Sequence, residues 1–552
     1  MESSVESWWV LPMALIPAIS GEQHENIATI ATSFAYLAIF AFLAWAGASL
    51  LSWSHPGGPA WGKYYWTKAR AKKATTIPGP RGLPVVGSLG LMSGLAHRSL
   101  AHEASRRPGA KRLMALSLGP VRAVVTSHPD VAKEILDNPA FADRPVNHAA
   151  YGLMFHRSIG FAEHGPYWRA LRRISAGHLF GPRQVDAFAP YRASVGEGLV
   201  TALKLAGGDG VQVRGVLRRA SLYYIMRFVF GKEYDVVSPA SASGKEKEVE
   251  ELLEMVHEGY ELLGMENWCD YFPGLAALDP QGVGARCAEL MPRVNRFVHG
   301  IIQEHRSRSA KAIAGGGEAR DFVDILLSLQ ESEGLADADI AAVLWEMIFR
   351  GTDAMAVLME WTLARLVLHR DVQAKAHREL DDAVGRDKPV TESTATSLPY
   401  LQAVLKEALR IHPPGPLLSW RHRAMSDTLV DGHLVPAGTT AMVNQWAISR
   451  DPEVWDAPLE FQPERFLPGG KGHGVSVLGA DGRLVPFGSG RRSCPGKSLA
   501  MTTVTAWMAT LLHEFEWLPV ADADAVDMSE VLRLSCEMAV PLEVRIRPRR
   551  GV

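Results

Sequence analysis

The chain runs to 552 residues, longer than one ordinary domain, yet no mid-chain linker divides it, so one large globular unit with appendages is the simplest reading. Its formal charge of 58 − 60 = −2 removes the basic field on which a nucleic-acid partner depends. Four scattered cysteines, Cys269, Cys287, Cys494 and Cys536, form no CxxC pair; they give no disulfide or zinc framework and suit a reducing compartment.

Ile27 to Leu51 contains no charged residue and is long enough to span a bilayer. Glu2, Glu6, Glu22 and Glu25 precede it and Lys63, Lys68, Arg70, Lys72 and Lys73 follow, an asymmetry that puts the long C-terminal part in the cytosol. A cleaved signal peptide is the rival, but it needs a basic start, and no Lys or Arg occurs before Lys63. The expected organisation is a lumenal segment 1–26, an anchor 27–51, a basic segment and hinge 52–84, and a cytosolic domain 85–552. Apolar Trp8 to Ile19, broken by Pro12 and Pro17, is too short to span and reads as lumenal or interfacial, with a buried hairpin as the other option.

The hinge Ile77-Pro78-Gly79-Pro80-Arg81-Gly82-Leu83-Pro84 cannot continue a helix and stiffens the join. Leu113 to Thr126 alternates around Gly119-Pro120, which predicts a small hairpin. Trp168 and Arg172 stand at i and i+4, so an indole N–H and a planar cation share one helix face and can hold a carboxylate; such pairs are also common on plain helix surfaces. Ser238 to Gly244 and Ala314 to Gly317 are low-complexity and read as exposed loops.

Asp337 to His369 is the longest proline-free helical stretch, with apolar residues spaced as in a helix buried through a domain centre. Arg350-Gly351-Thr352-Asp353 interrupts it, and two accounts fit: a satisfied polar bridge or surface turn, or a local opening of the helix at a reactive centre. Glu407 and Arg410, at i and i+3, precede the diproline Pro413-Pro414, and Arg465 follows in Phe461 to Phe466. Two arginines around one carboxylate keep charges paired when buried. Val430 to Val443, with Gly432 and Gly438, suggests short hairpins; Ser498 to Phe515 reads as a helix and Val540 to Ile546 as a strand.

Near the C-terminus, Phe487-Gly488-Ser489-Gly490-Arg491-Arg492-Ser493-Cys494-Pro495-Gly496 frames a lone cysteine with three glycines and a proline. Such residues supply freedom and close approach instead of packing, and a thiolate there can draw on the amides of a helix N-terminus. A phosphate loop fails on register, since Ser493 stands where its last glycine is required. A free cysteine in a surface loop is the remaining plain account.

The pattern at Phe487, Gly490, Arg492, Cys494 and Gly496 resembles the haem-ligating loop of the cytochrome P450 superfamily, and the hinge, Trp168/Arg172, Gly351 to Asp353, Glu407/Arg410 and Arg465 precede it in that family's order. The resemblance implies a mainly α fold with small β-sheets behind an N-terminal transmembrane helix. It implies haem b with the Cys494 thiolate as axial iron ligand, a ligation that favours O–O cleavage. It also implies propionate contacts from Trp168, Arg172 and Arg421, a structural network of Glu407, Arg410 and Arg465, and a catalytic stretch of Gly351, Thr352 and Asp353. Tyr151 to Phe155, Leu417, Leu418 and Ser535 to Met538 match pocket-lining positions, although core packing accounts for each equally well.

The sequence departs from the family at three places. Arg350 stands where alanine or glycine is usual, Trp420 where proline is usual, and Ala354 where a threonine helps deliver protons. A methyl group can neither donate nor accept a proton, so delivery is expected to pass through Asp353 with water or a substrate hydroxyl, with poorer coupling of electrons to product. The hinge and the Arg350 to Asp353 stretch look most like the plant-only subfamily typified by KLUH, which regulates organ growth. By that resemblance the expected activity is monooxygenation of a small lipophilic, fatty-acid-like molecule at the endoplasmic reticulum membrane, single-pass, with O2 and electrons from NADPH through NADPH–cytochrome P450 reductase. Arg491 and Lys497 are candidate contacts for that reductase. The alternatives are a reductase-independent haem isomerase or dehydratase, and a haem-binding regulator without catalysis.

Overall fold

The computed structural model describes residues 21–67, 75–207, 210–234, 244–312, 321–479, 481–520 and 526–549. The apolar patch 8–19, the cations Lys68, Arg70, Lys72 and Lys73, and the low-complexity stretches 238–243 and 314–317 lie outside them. Helix Gly21–Trp53 leads the described chain. Its segment Thr32–Trp53 has a mean hydropathy of 2.0 and none of it is buried; among the described residues it is the one helix long and apolar enough to cross a membrane. Phe34, Tyr36 and Phe40 project from it exposed, a cost in water that a lipid environment removes.

The chain then docks on a four-stranded sheet. Trp61, fully buried in helix Pro59–Thr67, donates its indole N–H to the Leu116 carbonyl at 3.0 Å. The proline-rich hinge lies along strand Met114–Leu118, where the Ala115 amide donates to the Pro78 carbonyl at 2.8 Å. A Cβ at Gly79 would come within 1.9 Å of the Ala115 carbonyl oxygen, so only glycine lets the hinge lie that close. Met114–Leu118 pairs antiparallel with Val121–Thr126 through Gly119, whose φ is +58°. The next strand, Thr440–Val443, joins Val121–Thr126 in parallel, and His422–Arg423 closes the sheet. Thr428–Val430 and His433–Val435 do form a hairpin. Thr440–Val443 is not part of one, because alternation identifies a strand but not its partner.

The remaining architecture is helical and surrounds Asp337–Leu368, about 50 Å long, whose Trp345, Phe349, Met359 and Trp361 are fully buried. Helices Val213–Phe230, Pro399–Ile411 and Lys497–Glu514 pack on it. The central helix is continuous through Arg350 to Asp353, so the local opening, one of the two accounts of that stretch, does not occur. Thr352 bonds its hydroxyl back to the Ile348 carbonyl at 2.7 Å. At Gly351 a Cβ would approach Ile225 to 2.5 Å, which gives the glycine a packing role: it admits the neighbouring helix.

Behind the sheet a buried ionic knot ties three segments. Arg410 makes a forked pair with Glu407, both bonds at 2.7 Å, and Arg465 Nε reaches the same carboxylate at 2.9 Å. The remaining guanidinium protons go to carbonyls of Pro458 and Asp456, so the charges are buried with their hydrogen bonds satisfied.

Candidate active site

The glycine-rich loop turns back on itself before helix Lys497–Glu514. Gly488 and Gly490 have φ of +67° and +64°, and a Cβ at Gly490 would meet the Leu136 carbonyl oxygen at 2.1 Å. Cys494 donates its amide to the Phe487 carbonyl at 2.8 Å, which fixes the sulfur at the helix entrance. Burial pushes the Cys494 thiol upward, while Arg350, the Gly496 amide and Arg172 pull the other way. The residue keeps some accessibility because it faces an internal cavity, which Phe487 and Gly496 also line.

Four arginines line that cavity: Arg350 from the central helix, and Arg144, Arg172 and Arg492 from other parts of the chain. Arg492 donates to the carbonyls of Ala142 and Ala162, both at 2.6 Å, and lies 4.2 Å from the centre of the Trp168 ring. Its Nη1 is buried with no partner. Arg172 gives one bond, 3.0 Å, to the Ser493 carbonyl. The Trp168 indole N–H goes to the Ile159 carbonyl at 2.9 Å, so it does not join Arg172 in holding a carboxylate; the ring serves as a platform for Arg492. Arg144, absent from the sequence reading, spans the carbonyls of Gly160, Trp420 and Arg421. Burial drives its pKa well down, and the Arg492 and Arg350 charges add to that.

Arg421 departs from its expected place. Its guanidinium pairs with Glu266 and with the Tyr271 hydroxyl at 2.5 Å, on the wall of a separate outer cavity of about 1440 Å³. The neighbouring His422 takes the inner wall instead, because successive strand residues point to opposite faces. His422 is held by the Phe141 carbonyl at 2.9 Å, and burial pushes its pKa down to about 3, so the ring is neutral.

The central helix presents Glu346, Met347, Arg350, Gly351, Ala354 and Leu358 to the cavity, the spacing of one helical face. Asp353 and Thr352 are not among them and line a different cavity, together with Arg218, Arg533 and Glu537. Asp353 is held there by Arg218, with Nε at 2.9 Å. The acid expected to deliver protons is therefore turned away, while the methyl of Ala354 faces the site. Glu346 is the carboxylate that faces it, and sequence reading missed it although its i, i+4 relation to Arg350 was available. Its oxygens accept the amides of Ile159 at 2.7 Å and Gly160 at 2.8 Å, which clamps that loop to the helix. Burial raises its pKa against those bonds.

Two further placements matter. Cys536 sits in strand Cys536–Met538 with burial pushing its thiol far up, next to Glu530 and outside the cavity wall. Arg491 is exposed, and Lys497 donates to the Leu478 carbonyl at 2.7 Å.

Known proteins resemble this chain over most of its length. A family profile described as Cytochrome P450 matches residues 77–537. Cytochrome P450 78A9 of Arabidopsis thaliana is 55% identical over 523 residues, 94% of this chain and 95% of that protein. Cytochrome P450 78A3 of Glycine max is 54% identical over 507 residues, 92% and 94% respectively. A zebrafish cytochrome P450 solved with progesterone superposes with a TM-score of 0.68 at 26% identity, covering 82% of this chain and 99% of its own. The chain belongs to the cytochrome P450 family of haem-thiolate monooxygenases, and its relatives include the plant 78A group.

Proposed function

We propose that this chain is a membrane-anchored monooxygenase in which the Cys494 thiolate ligates the haem iron, and Arg144, Arg172 and Arg492 hold the haem carboxylates. One observation carries the reading. Four arginines, Arg144, Arg172, Arg350 and Arg492, line one cavity whose single lining carboxylate, Glu346, already serves two backbone amides, and Arg492 Nη1 is buried with no partner. Cations that close, out of water, require anions, and haem brings two carboxylates beside an iron that a soft thiolate suits.

When bound, haem supplies the oxygen-activating redox chemistry. The chain's contribution is to fix the ligand, to neutralise those carboxylates and to exclude water with apolar Met355, Leu358 and Val504. Protons pass through ordered water or a substrate hydroxyl, since Ala354 offers none. We place the anchor at 27–51 in the endoplasmic reticulum membrane as a single pass. Electrons come from NADPH through the membrane-bound reductase, with exposed Arg491 as a contact. The substrate is small, lipophilic and fatty-acid-like, and the biological setting is plant growth, on the resemblance to the organ-growth subfamily.

Ala354 on the cavity wall favours a second reading, a reductase-independent isomerase or dehydratase of an oxygenated lipid. Turnover that needs NADPH and O2 supports monooxygenation, whereas turnover of a hydroperoxide without either supports the second. The ligand assignment is tested on purified holoprotein. Cys494→Ser loses the red-shifted ferrous carbon monoxide absorption of thiolate-ligated haem, and Cys536→Ser keeps it. The opposite pattern would sink the assignment.

A further inference from the structure

We infer that Arg350 is an anion anchor: it binds an ionised carboxylate, or an equivalent oxyanion, carried by the substrate. The inference rests on the monooxygenase reading above and narrows its substrate class.

Arg350 lies on the cavity-facing side of the central helix, one turn before Ala354. Its Nη1 is buried and has no hydrogen-bond partner, and no ion pair involves it among the described residues. The one carboxylate on the same cavity wall is Glu346, one turn earlier on the same face. Both of its oxygens are already committed to the amides of Ile159 and Gly160. The other cavity cations are accounted for by the haem carboxylates, whereas Arg350 comes from the opposite element, the central helix. A guanidinium withdrawn from water with an unused N–H is costly, and an arriving anion removes that cost through a charge-assisted bond.

The setting indicates how such a molecule reaches it. The Arg350 guanidinium lies 5.7 Å from the centre of the Trp420 ring. Trp420 packs against Phe161 and lines both the inner cavity and the larger outer one. Leu417, Phe161, Val146 and Leu534 make much of that outer wall apolar. A molecule with a lipophilic body and one anionic group fits this arrangement, its charge stopping at the boundary where Arg350 and Trp420 meet. The plain alternative is that Arg350 lays its aliphatic stem on Trp420 and is served by cavity water.

The test uses the full, haem-loaded chain in lipid nanodiscs and three probes: a straight-chain alkanoate, the matching alcohol and the matching methyl ester. Calorimetry gives affinities and the haem absorption gives the spin-state change. Arg350→Leu is expected to weaken the alkanoate about tenfold or more while leaving the alcohol and ester within about twofold, and Arg350→Lys is expected to restore much of the loss. Partitioning of each probe into lipid is common to both proteins and cancels in their ratio. A wild-type chain without preference for the alkanoate, or an Arg350→Leu variant that keeps it, overturns the anchor. The carbon monoxide spectrum separates the two levels. Thiolate-ligated haem without alkanoate preference removes the anchor alone, and preference without thiolate ligation supports the anchor and removes the reading beneath it.

Discussion

Arg218 grips Asp353 with Nε at 2.9 Å and Nη2 at 2.7 Å from one carboxylate oxygen, and the same Nη2 donates to Glu537 at 2.6 Å. This pairing joins helix Val213–Phe230, the central helix and strand Cys536–Met538 beside a second cavity. Asp353→Asn is expected to lower stability by about 1–3 kcal/mol, since Arg218 keeps Glu537, with thiolate-ligated haem retained. Thermal unfolding and the carbon monoxide spectrum check both parts. A variant with unchanged stability and abolished turnover would return Asp353 to proton delivery.

Arg492 and Arg421 separate haem binding from general packing. Loss of the Arg492 guanidinium, whose Nη1 is buried without a partner, is expected to speed haem loss about tenfold or more, the worth of a charge-assisted bond. Arg421→Leu breaks the pair with Glu266 and is expected to lower thermal stability while leaving haem retention as in the wild type. Transfer of haem to an apoglobin acceptor measures the two rates. Equal acceleration in both variants would contradict the placement of Arg421 outside the site.

Glu407 is the centre of its network, accepting from both Arg410 and Arg465 while fully buried. Glu407→Gln leaves two arginine charges uncompensated and is expected to cost about 3–5 kcal/mol. Little haem-loaded protein should accumulate, although Glu407 is not among the residues lining the haem cavity. A variant that folds and loads haem at wild-type yield would show the network to be dispensable.

His305 contributes a pH dependence far from the site. Its Nε2 lies 2.9 Å from an Asp321 oxygen and its Nδ1 2.8 Å from the Ile301 carbonyl, fully buried. Burial lowers its pKa, but the Asp321 bond and charge and the carbonyl outweigh this, and the net direction is up from 6.5; Arg308, 3.7 Å from Asp321, opposes it. Because the folded value is raised, the stabilisation is complete below the unfolded pKa and is lost as pH rises through the folded one. The stability difference between wild type and His305→Gln should therefore shrink as the pH rises above about 6.5, as read by thermal unfolding. A difference that grows with pH would reverse the assignment.

Some of this was legible in the chain. Periodicity gave the central helix to within a residue, Asp337–Leu368 against an expected end at His369, because a long apolar repeat is a local property. The i, i+3 spacing of Glu407 and Arg410 is likewise local, and the structure brings Arg465 to the same carboxylate. Arg421 and His422 show the limit. A motif position names a cation for the wall, but which of two neighbours faces inward depends on strand register, and that is set by pairing with Thr440–Val443. Trp168 is similar: its spacing to Arg172 is visible, yet its N–H is taken by the carbonyl of Ile159 from a loop that Glu346 clamps.

What the sequence determined by itself was the apolar N-terminal helix, the central helix and the glycine-framed cysteine, since each follows from residue types within a few turns of one another. What only the tertiary structure decided was which charges share a cavity. Arg144, Arg172 and Arg492 come from distant segments, and Asp353 and Ala354 are adjacent in sequence but serve different cavities. A helix turns about 100° per residue, so the packing around it, and not the order of residues along it, selects the face that does the chemistry.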